Sequence, residues 1–585
     1  MSKNIVLPLF KGQKKEIRKV VRSVIQVILL LSLVVIVVKE IFLFKKYEEF
    51  NYHSNVDNGF IALSYFGIDR TGSPKYISQE NLEKQLTNLH NQGFVTISQQ
   101  DIINYYENGK NLPEKSLYLL FEDGRTDSAI FSQNTLEKLN YKATMFTYSN
   151  KMSVNDRKFL QPKDLLKLES SGYWEIGSNG HRLTYINVFN SKGNSLGIID
   201  ENELPDKTKI EYYNHYLMDF VRDEFMIPLE NRIEMEKRIS REYSLMKEIY
   251  QSTLGYTPKS YAIMHANSLY HDMNRLVENK NDTEIRDTFQ MHFNLEGNAY
   301  NGKETDQYNL SRMQVSPYWS MNHLLMKLQN DTQQPIEFEI GEQEKAIDWD
   351  LDRGAVEFSG NQIILTSPPS EEGLILLKKE LPRNYNLRVT LKGNIIGEQN
   401  IYLHYDKTNH TYLKLSLQNN NLLLMEKLKN QEERQLAVYS LDDVTWDGED
   451  YALNKATIYS YADTQTASQK NGSDYPRTVP GSRQLNITME KNQLHILVDN
   501  SIINKTIHFD STHTSNKIAL GSVYVEKEPS YEQYADGIYD AVFEDMIITS
   551  DNFTIYNNAY NHAERILNNT IRTFNKIVDF FIKTF

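Results

Sequence analysis

The sequence predicts an α/β domain with a barrel-like parallel sheet, followed by an all-β domain, with one transmembrane helix in front of both. Three observations predict this order. Apolar runs alternate with amphipathic helical patterns over about residues 60–335, short strands alone follow over about 340–550, and a long apolar segment lies near the N-terminus. Strands that alternate with helices form parallel sheets, whereas closely spaced strands bounded by turn residues form antiparallel sandwiches.

The composition limits the chemistry that the chain can perform. Its 585 residues exceed one ordinary domain, so two or three domains are expected. It contains no cysteine, which excludes disulfides, thiolate metal sites and cysteine nucleophiles. Any metal must therefore be held by histidine, aspartate or glutamate.

The N-terminus reads as a basic cytoplasmic tail followed by a membrane anchor. Residues 1–22 carry seven basic side chains against one acid, and residues 23–44 are almost entirely apolar. A helix needs roughly 20 residues to cross the hydrocarbon core, and the positive flank places the N-terminus in the cytoplasm. A cleaved signal peptide is the alternative, but no small-residue cleavage motif follows the apolar run. We therefore expect an uncleaved signal anchor and a linker over residues 45–59.

This topology predicts a single-pass protein of the cell membrane whose bulk is extracellular. The formal net charge is −13, although the N-terminal tail is strongly basic, so the remainder is more acidic still. An acidic surface repels nucleic acid, which we exclude as a partner.

The α/β domain is expected at residues 60–335. Its predicted strands and helices alternate in the order strand Phe60–Ile68, helix Ser78–Gln92, strand Phe94–Ile97, helix Gln99–Glu107, strand Leu117–Phe121, helix Asn134–Asn140, strand Tyr141–Tyr148, helix Pro162–Ser170 and strand Tyr173–Gly177. The number of units favours a barrel. An insertion over about residues 182–258 is predicted to be helical, with helices at Asn214–Phe225 and Asn231–Tyr250.

Two adjacent acids follow one of the buried strands. The apolar run Leu117–Phe121 ends at Glu122 and Asp123, and Gly124 lets the backbone turn. In parallel sheets and barrels the carboxyl ends of the strands are where chemistry is done. The alternative is that Glu-Asp-Gly is only a turn after a buried strand.

The stretch Ser116–Ser128, SLYLLFEDGRTDS, with the later LEKLNYKATMFTY, resembles the first motif of the polysaccharide deacetylase (NodB-homology) family. The segment leading into it resembles the poly-N-acetylglucosamine deacetylase branch. The resemblance implies a distorted (β/α) barrel of polysaccharide-deacetylase type. It also implies metal-assisted hydrolysis of N-acetyl groups on an exopolysaccharide or cell-wall glycan, with Glu122 as general base and Asp123 as ligand of a divalent metal, normally zinc.

The metal-histidine motif of that family is degenerate here. Where the family has its first metal histidine the chain has Asn179, and a carboxamide is a poor zinc ligand. His181 and His265 are the remaining candidate ligands, each with the alternative of a loop histidine without a metal. By the same resemblance, Arg312, Asn179 and Tyr65 are candidate substrate-binding residues.

The missing histidines leave two functions open. The first is an active deacetylase. The second is a catalytically inactive protein of the same fold that serves as a glycan-binding scaffold beside other exopolysaccharide synthesis or export proteins. The intact acid pair favours the first and the missing histidines favour the second.

The second domain, at residues 340–550, is expected to be an antiparallel β-sandwich of jelly-roll type. Its last strands resemble those of laminin-G or concanavalin-like sandwiches, which implies glycan binding. Trp349, Trp446, Tyr402 and Tyr412 could stack on sugars, with burial in the core as the alternative. Residues 555–585 form an amphipathic helix that packs on the sandwich or binds a membrane surface or partner.

Overall fold

The structure, a computed structural model, describes most of the chain after residue 45. The described ranges are 46–50, 59–73, 75–153, 156–190, 192–200, 210–263, 269–270, 273–394, 397–418, 420–441, 466–467, 474–475, 480–502, 507–510, 512–525, 536–551 and 553–584, with the isolated positions 22 and 26. The predicted transmembrane segment, residues 23–44, lies outside these ranges except for residue 26. Within them, no helix is both long and apolar enough to cross a bilayer.

Seven parallel strands close into a barrel, as the alternation of strands and helices predicts. They are β1 (Phe60–Tyr65), β2 (Ser116–Phe121), β3 (Ala143–Tyr148), β4 (Trp174–Gly180), β5 (Ser260–Ala262), β6 (Met291–Glu296) and β7 (Leu310–Gln314). Each strand pairs with the next in the chain, and β7 pairs with β1 to complete the ring. All seven carboxyl ends therefore meet at one mouth of the barrel.

Helices cover the outside of the barrel. Their bounds are Gln79–Asn91, Gln99–Asn108, Thr126–Leu139, Pro162–Ser170, Arg232–Leu254, Arg275–Thr288 and Met321–Thr332. Short strands at Ile68–Asp69, Ile77–Ser78, Val95–Thr96 and Tyr300–Asn301 and a 3-10 turn at Ser149–Ser153 lie between these elements. The first helix buries Leu82, Leu86 and Leu89, one side chain every three to four residues, which is the stripe that its sequence predicts.

Alternation along the barrel strands sorts side chains between two cores. Leu117, Leu119 and Phe121 of β2 pack under the surrounding helices, whereas Tyr118 and Leu120 belong to a second cluster. Successive side chains of a strand point to opposite faces. The residue that follows Phe121 is therefore directed into the mouth of the barrel.

The insertion differs from its prediction. Residues 182–258 contain an antiparallel sheet of Thr184–Asn190, Ser195–Asp200 and Ile210–His215 before the helix Arg232–Leu254. The predicted helix Asn214–Phe225 is therefore wrong. Within this range, Leu217 and Phe220 join the main core, while Tyr213, just before it, packs with Tyr185 and Val188 in the sheet.

Two antiparallel sheets form the second domain. The seven-stranded sheet has the order Trp349–Arg353, Gly373–Leu377, Ala519–Tyr524, Gly397–Asp406, Thr411–Gln418, Asn421–Lys427 and Arg434–Ser440. The nine-stranded sheet comprises Ala355–Ser359, Gln362–Thr366, Asp540–Ser550, Asn384–Asn394, Pro480–Glu490, Gln493–Val498, Ser501–Ile502, Ile507–His508 and Phe553–Asn557. Side chains from both sheets form one apolar core, as expected of a sandwich.

Two of the aromatic residues proposed to stack on sugars in the sandwich are tryptophans. Trp349 is 4% exposed and lies in the core beside Tyr556, so its suggested role as a sugar platform is wrong. Trp446 lies outside the described residues.

Hydrogen bonds and ion pairs connect the sandwich to the helix Met321–Thr332 of the barrel domain. The amide and the hydroxyl of Ser320 both donate to Asp540 at 2.9 Å, at the start of the helix Met321–Thr332. The ring of His323 lies between Asp536 and Asp540, at 2.8 and 3.1 Å.

The C-terminal helix, His562–Thr584, is held by its polar side. Arg70 of the barrel contacts Asp579 at 2.6 Å and donates to the carbonyl of Asn575 at 2.8 Å. The apolar side chains of the helix are exposed, namely Ile566, Leu567, Ile571, Phe574, Ile577 and Phe580. This apolar face does not pack on the sandwich among the described residues, contrary to the first of the two expectations.

Candidate active site

The two acids sit on a sharp turn at the mouth of the barrel. The amide of Glu122 still donates to the carbonyl of Tyr65 on β1 at 3.0 Å. The next two residues then adopt left-handed backbone conformations, with φ of 65° at Asp123 and 61° at Gly124. A Cβ at Gly124 would lie 2.9 Å from the methyl group of Thr147, so this position accepts only glycine without strain.

Glu122 is oriented by two donors. The hydroxyl of Ser64 donates to its Oε1 at 2.5 Å, and Nε of Arg312 donates to the same oxygen at 2.8 Å. Oε2 has no hydrogen-bond partner among the described residues. A carboxylate with one oxygen tethered and the other open is placed to accept a proton.

Arg312 is the charged centre of the site. Its side chain is 3% exposed, and its two Nη atoms donate to the carbonyls of Phe293 and Ile263 at 3.2 and 3.3 Å. Besides Glu122, the guanidinium faces the Oε2 atom of Glu296 at 3.6 Å. Arg312 therefore lies between two carboxyl groups from different strands.

Glu296 is a site residue that the sequence did not indicate. Burial raises its pKa to about 7, against the opposing influence of Arg312, and the charge of Glu122 raises it further. It lies opposite Arg312 because the register of β6 and β7 shifts between Phe293 and Leu295. Simple alternation would have directed the apolar Leu295 inward, so no sequence signal marks this glutamate.

Ser64 is a second site residue that the sequence did not indicate. It is the one small polar residue in the apolar run of β1, FIALSY, and it is fully buried. Its position opposite the acid motif follows from the pairing of β1 with β2, which brings Ser64 level with Leu120. The signal that could have found it is a polar side chain in an otherwise apolar buried strand.

Asn179 connects strand ends and does not face an open cleft. Its Oδ1 accepts from the amide of Asp123 at 3.2 Å, and its Nδ2 donates to the carbonyl of Ala262 at 3.2 Å. Both ends of the amide are used by the protein, and the side chain is buried. Its role is therefore to hold the turn that carries the acids.

The candidate metal ligands are not brought together. Nδ1 of His181 shares a hydrogen bond with the hydroxyl of Ser149 at 2.8 Å, and burial lowers its pKa. His265 lies outside the described residues. In the part of the chain that the structure describes, no three histidine, aspartate or glutamate side chains are close enough to hold a metal ion. The described residues do not complete a metal site, and we assign no chemical step to a metal.

Tyr65 lies away from the site. Its hydroxyl donates to Oε1 of Gln85 at 3.1 Å, its ring stacks on Phe121, and burial raises its pKa above the usual range. The side chain is fully buried among the helices outside the barrel. Its predicted contact with substrate is therefore wrong, because alternation in β1 turns Tyr65 outward and Ser64 inward.

Comparisons with known proteins found a family model and solved structures that are similar to this chain. Residues 109–275 match the family model of polysaccharide deacetylases. Among solved structures, the chain is similar to a de-N-acetylase from Aggregatibacter actinomycetemcomitans, with 19% identity, a TM-score of 0.35, and coverage of 45% of this chain and 98% of the other. It is similar to IcaB from Ammonifex degensii, with 15% identity, a TM-score of 0.33, and coverage of 47% and 97%.

The remaining comparisons concern the second domain and the curated proteins. A carbohydrate-binding module, CBM66 from Bacillus subtilis, is similar at 11% identity and a TM-score of 0.23 over 35% of this chain and 96% of the other. No curated protein sequence matches the chain. The match at residues 109–275, which includes Glu122 and Asp123, nevertheless shows that the chain contains a domain of the polysaccharide deacetylase family.

Proposed function

We propose that the barrel hydrolyses N-acetyl groups on an exopolysaccharide or cell-wall glycan. The observation that carries this proposal is the state of Glu122: a carboxylate at the barrel mouth, tethered through one oxygen by Ser64 and Arg312, with the other oxygen open. Such a group removes a proton from the water that attacks the amide carbonyl. The family match supports the reaction class.

The deacetylase motif that this segment resembles usually has aspartate where this chain has Glu122, and the arrangement around Glu122 suits the longer side chain. The extra methylene would displace a free carboxylate by more than catalytic positioning tolerates. Here the hydrogen bonds from Ser64 and Arg312, at 2.5 and 2.8 Å, fix where Oε1 lies.

Acetate release from defined oligomers tests this function. The full-length protein is incubated with β-1,4- and β-1,6-linked N-acetylglucosamine oligomers, and free acetate and new amines are quantified. We expect release by the wild type and a loss of about 100-fold or more in Glu122→Gln, which keeps the shape but not the basicity. Equal rates in the two proteins would refute the role of Glu122, and no release from any oligomer would refute the function.

Zinc is the metal that we propose for the reaction, because members of the family are generally metal-dependent. Asp123 would be one ligand. The described residues supply no complete set of ligands beside it, so His265, which lies outside them, is the residue whose contribution decides this proposal.

A second candidate function is glycan binding by the sandwich without catalysis. The outer face of the seven-stranded sheet carries a polar group in which Glu372 accepts from the hydroxyl of Tyr402 at 2.6 Å and from Nδ2 of Asn400 at 3.3 Å. The Oδ1 of Asn400 and the hydroxyl of the paired Ser416 are buried without hydrogen-bond partners among the described residues. Unsatisfied buried polar atoms are costly, and a polyhydroxylated ligand would satisfy them.

Glycan affinity of variants separates this function from the first. We expect Asn400→Ala combined with Ser416→Ala to weaken binding of soluble N-acetylated oligomers at least tenfold, whereas Asn492→Ala, at an exposed turn of the same domain, leaves it unchanged. A protein that binds glycan through this face but releases no acetate would be the scaffold. Unchanged affinity in the double variant would refute the binding face.

We also propose that the chain is anchored in the cell membrane through residues 23–44, with the barrel and the sandwich outside the cell. The apolar length and the basic flank support this proposal. Protease treatment of intact protoplasts tests it: digestion of the barrel and sandwich is expected, and complete protection would refute it.

A further inference from the structure

Two carboxyl groups share Arg312 at the mouth of the barrel. Glu122 follows β2 and contacts Nε of the guanidinium at 2.8 Å, while Glu296 ends β6 and faces Nη2 at 3.6 Å. The three side chains come from strands that are not all neighbours, so the barrel itself brings them together. Each carboxyl group lies at a strand end, where a substrate in the mouth would lie.

The surroundings of the two groups differ. Glu122 receives hydrogen bonds from Ser64 and Arg312, both on its Oε1 atom. Glu296 faces the guanidinium at a longer distance, and its side chain is only 6% exposed. Two carboxyl groups held in different surroundings at one site can take different roles, one accepting a proton and the other donating one.

We infer that Glu296 is the general acid of the proposed deacetylation, donating a proton to the amide nitrogen as the carbon–nitrogen bond breaks. This inference rests on the proposed function. In the reaction a water oxygen bonds to the carbonyl carbon and Glu122 takes the proton of that water. The bond to nitrogen then breaks, its electron pair stays on nitrogen, and Glu296 supplies the proton that makes the leaving group a neutral amine. Acetate and amine are the products, and exchange with solvent resets the two carboxyl groups.

The charges around Glu296 support a protonated starting state. Two charged groups among the described residues influence the pKa of Glu296. Arg312 of β7 lowers it, and Glu122, which follows β2, raises it. Burial is the largest influence, and it raises the pKa to about 7, so a substantial fraction of Glu296 is protonated at neutral pH. An acid with this pKa is well matched to neutral operation.

The test exploits the leaving group. Amide nitrogen leaves only with a proton, whereas para-nitrophenolate leaves without one. In Glu296→Gln we therefore expect kcat for N-acetylglucosamine oligomers to fall about 100-fold or more, while the rate of para-nitrophenyl acetate hydrolysis is unchanged.

The wild-type kcat/KM for the oligomers should decline above about pH 7, and Glu296→Gln should lack this decline. Glu304→Gln, an exposed glutamate in the following loop, is the matched control and should resemble the wild type on both substrates.

Each other outcome has a distinct meaning. If Glu296→Gln slows both substrates equally, the residue only positions Arg312 and the inference is overturned. If it slows neither, while Glu122→Gln abolishes turnover, the proposed function stands and the inference alone fails. If the wild type hydrolyses neither substrate, the proposed function fails and the acid role fails with it.

Discussion

The side-chain oxygen of Asn179 accepts a hydrogen bond from the backbone amide of Asp123 at 3.2 Å. The motif resemblance predicts a metal histidine at the position of Asn179, and the same side chain also donates to Ala262 on the next strand. The residue thus holds the acid turn against β4 and β5. The Asn179 side chain therefore supports the backbone that presents Glu122 and Asp123.

Removing this link should loosen the turn. Asn179→Ala deletes both hydrogen bonds and leaves a buried amide and carbonyl without this partner, so we expect the free energy of unfolding to fall by about 1–3 kcal/mol. Urea denaturation followed by circular dichroism measures it. Asn279→Ala, at an exposed helical position, is the control and should change stability by less than about 0.5 kcal/mol. Equal effects of the two substitutions would contradict the role assigned to Asn179.

A substitution at Gly124 provides a second test of the turn that carries the two acids. Gly124→Ala places a Cβ 2.9 Å from the methyl group of Thr147 and forces alanine to a φ of 61°, so we expect a loss of stability of about 2 kcal/mol. In a Thr147→Ser background that methyl group is absent, which leaves the backbone penalty and the longer contacts with Cβ and Cα of residue 147, at 3.3 and 3.4 Å. The cost of Gly124→Ala should then be smaller by more than about 0.5 kcal/mol in a double-mutant cycle. Strict additivity would show that the two residues do not compete for space.

The acid motif could be found in the sequence because its determinants are local. The apolar run Leu117–Phe121 is long enough to be a buried strand, and the glycine after the acids marks the turn. Glu296 could not be found, because its direction depends on an irregularity between β6 and β7 that arises only when the two strands pair. The predicted helix Asn214–Phe225 failed for a related reason: its apolar spacing suits a helix, but its first two residues pair with the strand Thr184–Asn190 instead.

The proposed metal depends on Asp123. Asp123→Asn keeps a residue that tolerates the left-handed backbone but removes the charge, so the fold should persist while metal content falls. Elemental analysis of full-length protein after dialysis without chelator measures it. We expect about one equivalent of divalent ion in the wild type and a clear loss in Asp123→Asn. Identical metal content in both proteins would exclude Asp123 as a ligand.

The C-terminal helix should detach when its polar contact is removed. Arg70→Ala deletes the ion pair with Asp579 and the hydrogen bond to Asn575, so we expect faster tryptic cleavage after Arg572 and Lys576 within the helix. Exchanging the charges in Arg70→Asp with Asp579→Arg should restore part of the protection. Arg232→Ala, which breaks a largely exposed ion pair with Glu236, is the control and should leave cleavage in this helix unchanged. Equal cleavage rates in Arg70→Ala and wild type would show that the contact does not hold the helix.

The junction between the domains should make stability depend on pH through His323. Burial disfavours the charged ring, but Asp536 and Asp540 outweigh it and raise the pKa of His323 to about 9. A raised pKa means that the folded state binds the proton more tightly than the unfolded state, whose histidine titrates near 6.5. The stabilisation is therefore complete below about pH 6.5 and disappears as the pH rises to about 9.

Comparison of wild type with His323→Gln isolates this contribution. Glutamine retains hydrogen-bonding groups without the titratable charge, so the wild type should lose up to about 3 kcal/mol of stability relative to the variant between pH 6 and pH 9.5. Urea unfolding at several pH values in this range measures the difference, and the change should be steepest between pH 6.5 and 9. Parallel stability curves would mean that the pKa of His323 is the same in the folded and the unfolded protein, so that the two carboxylates do not hold the ring protonated.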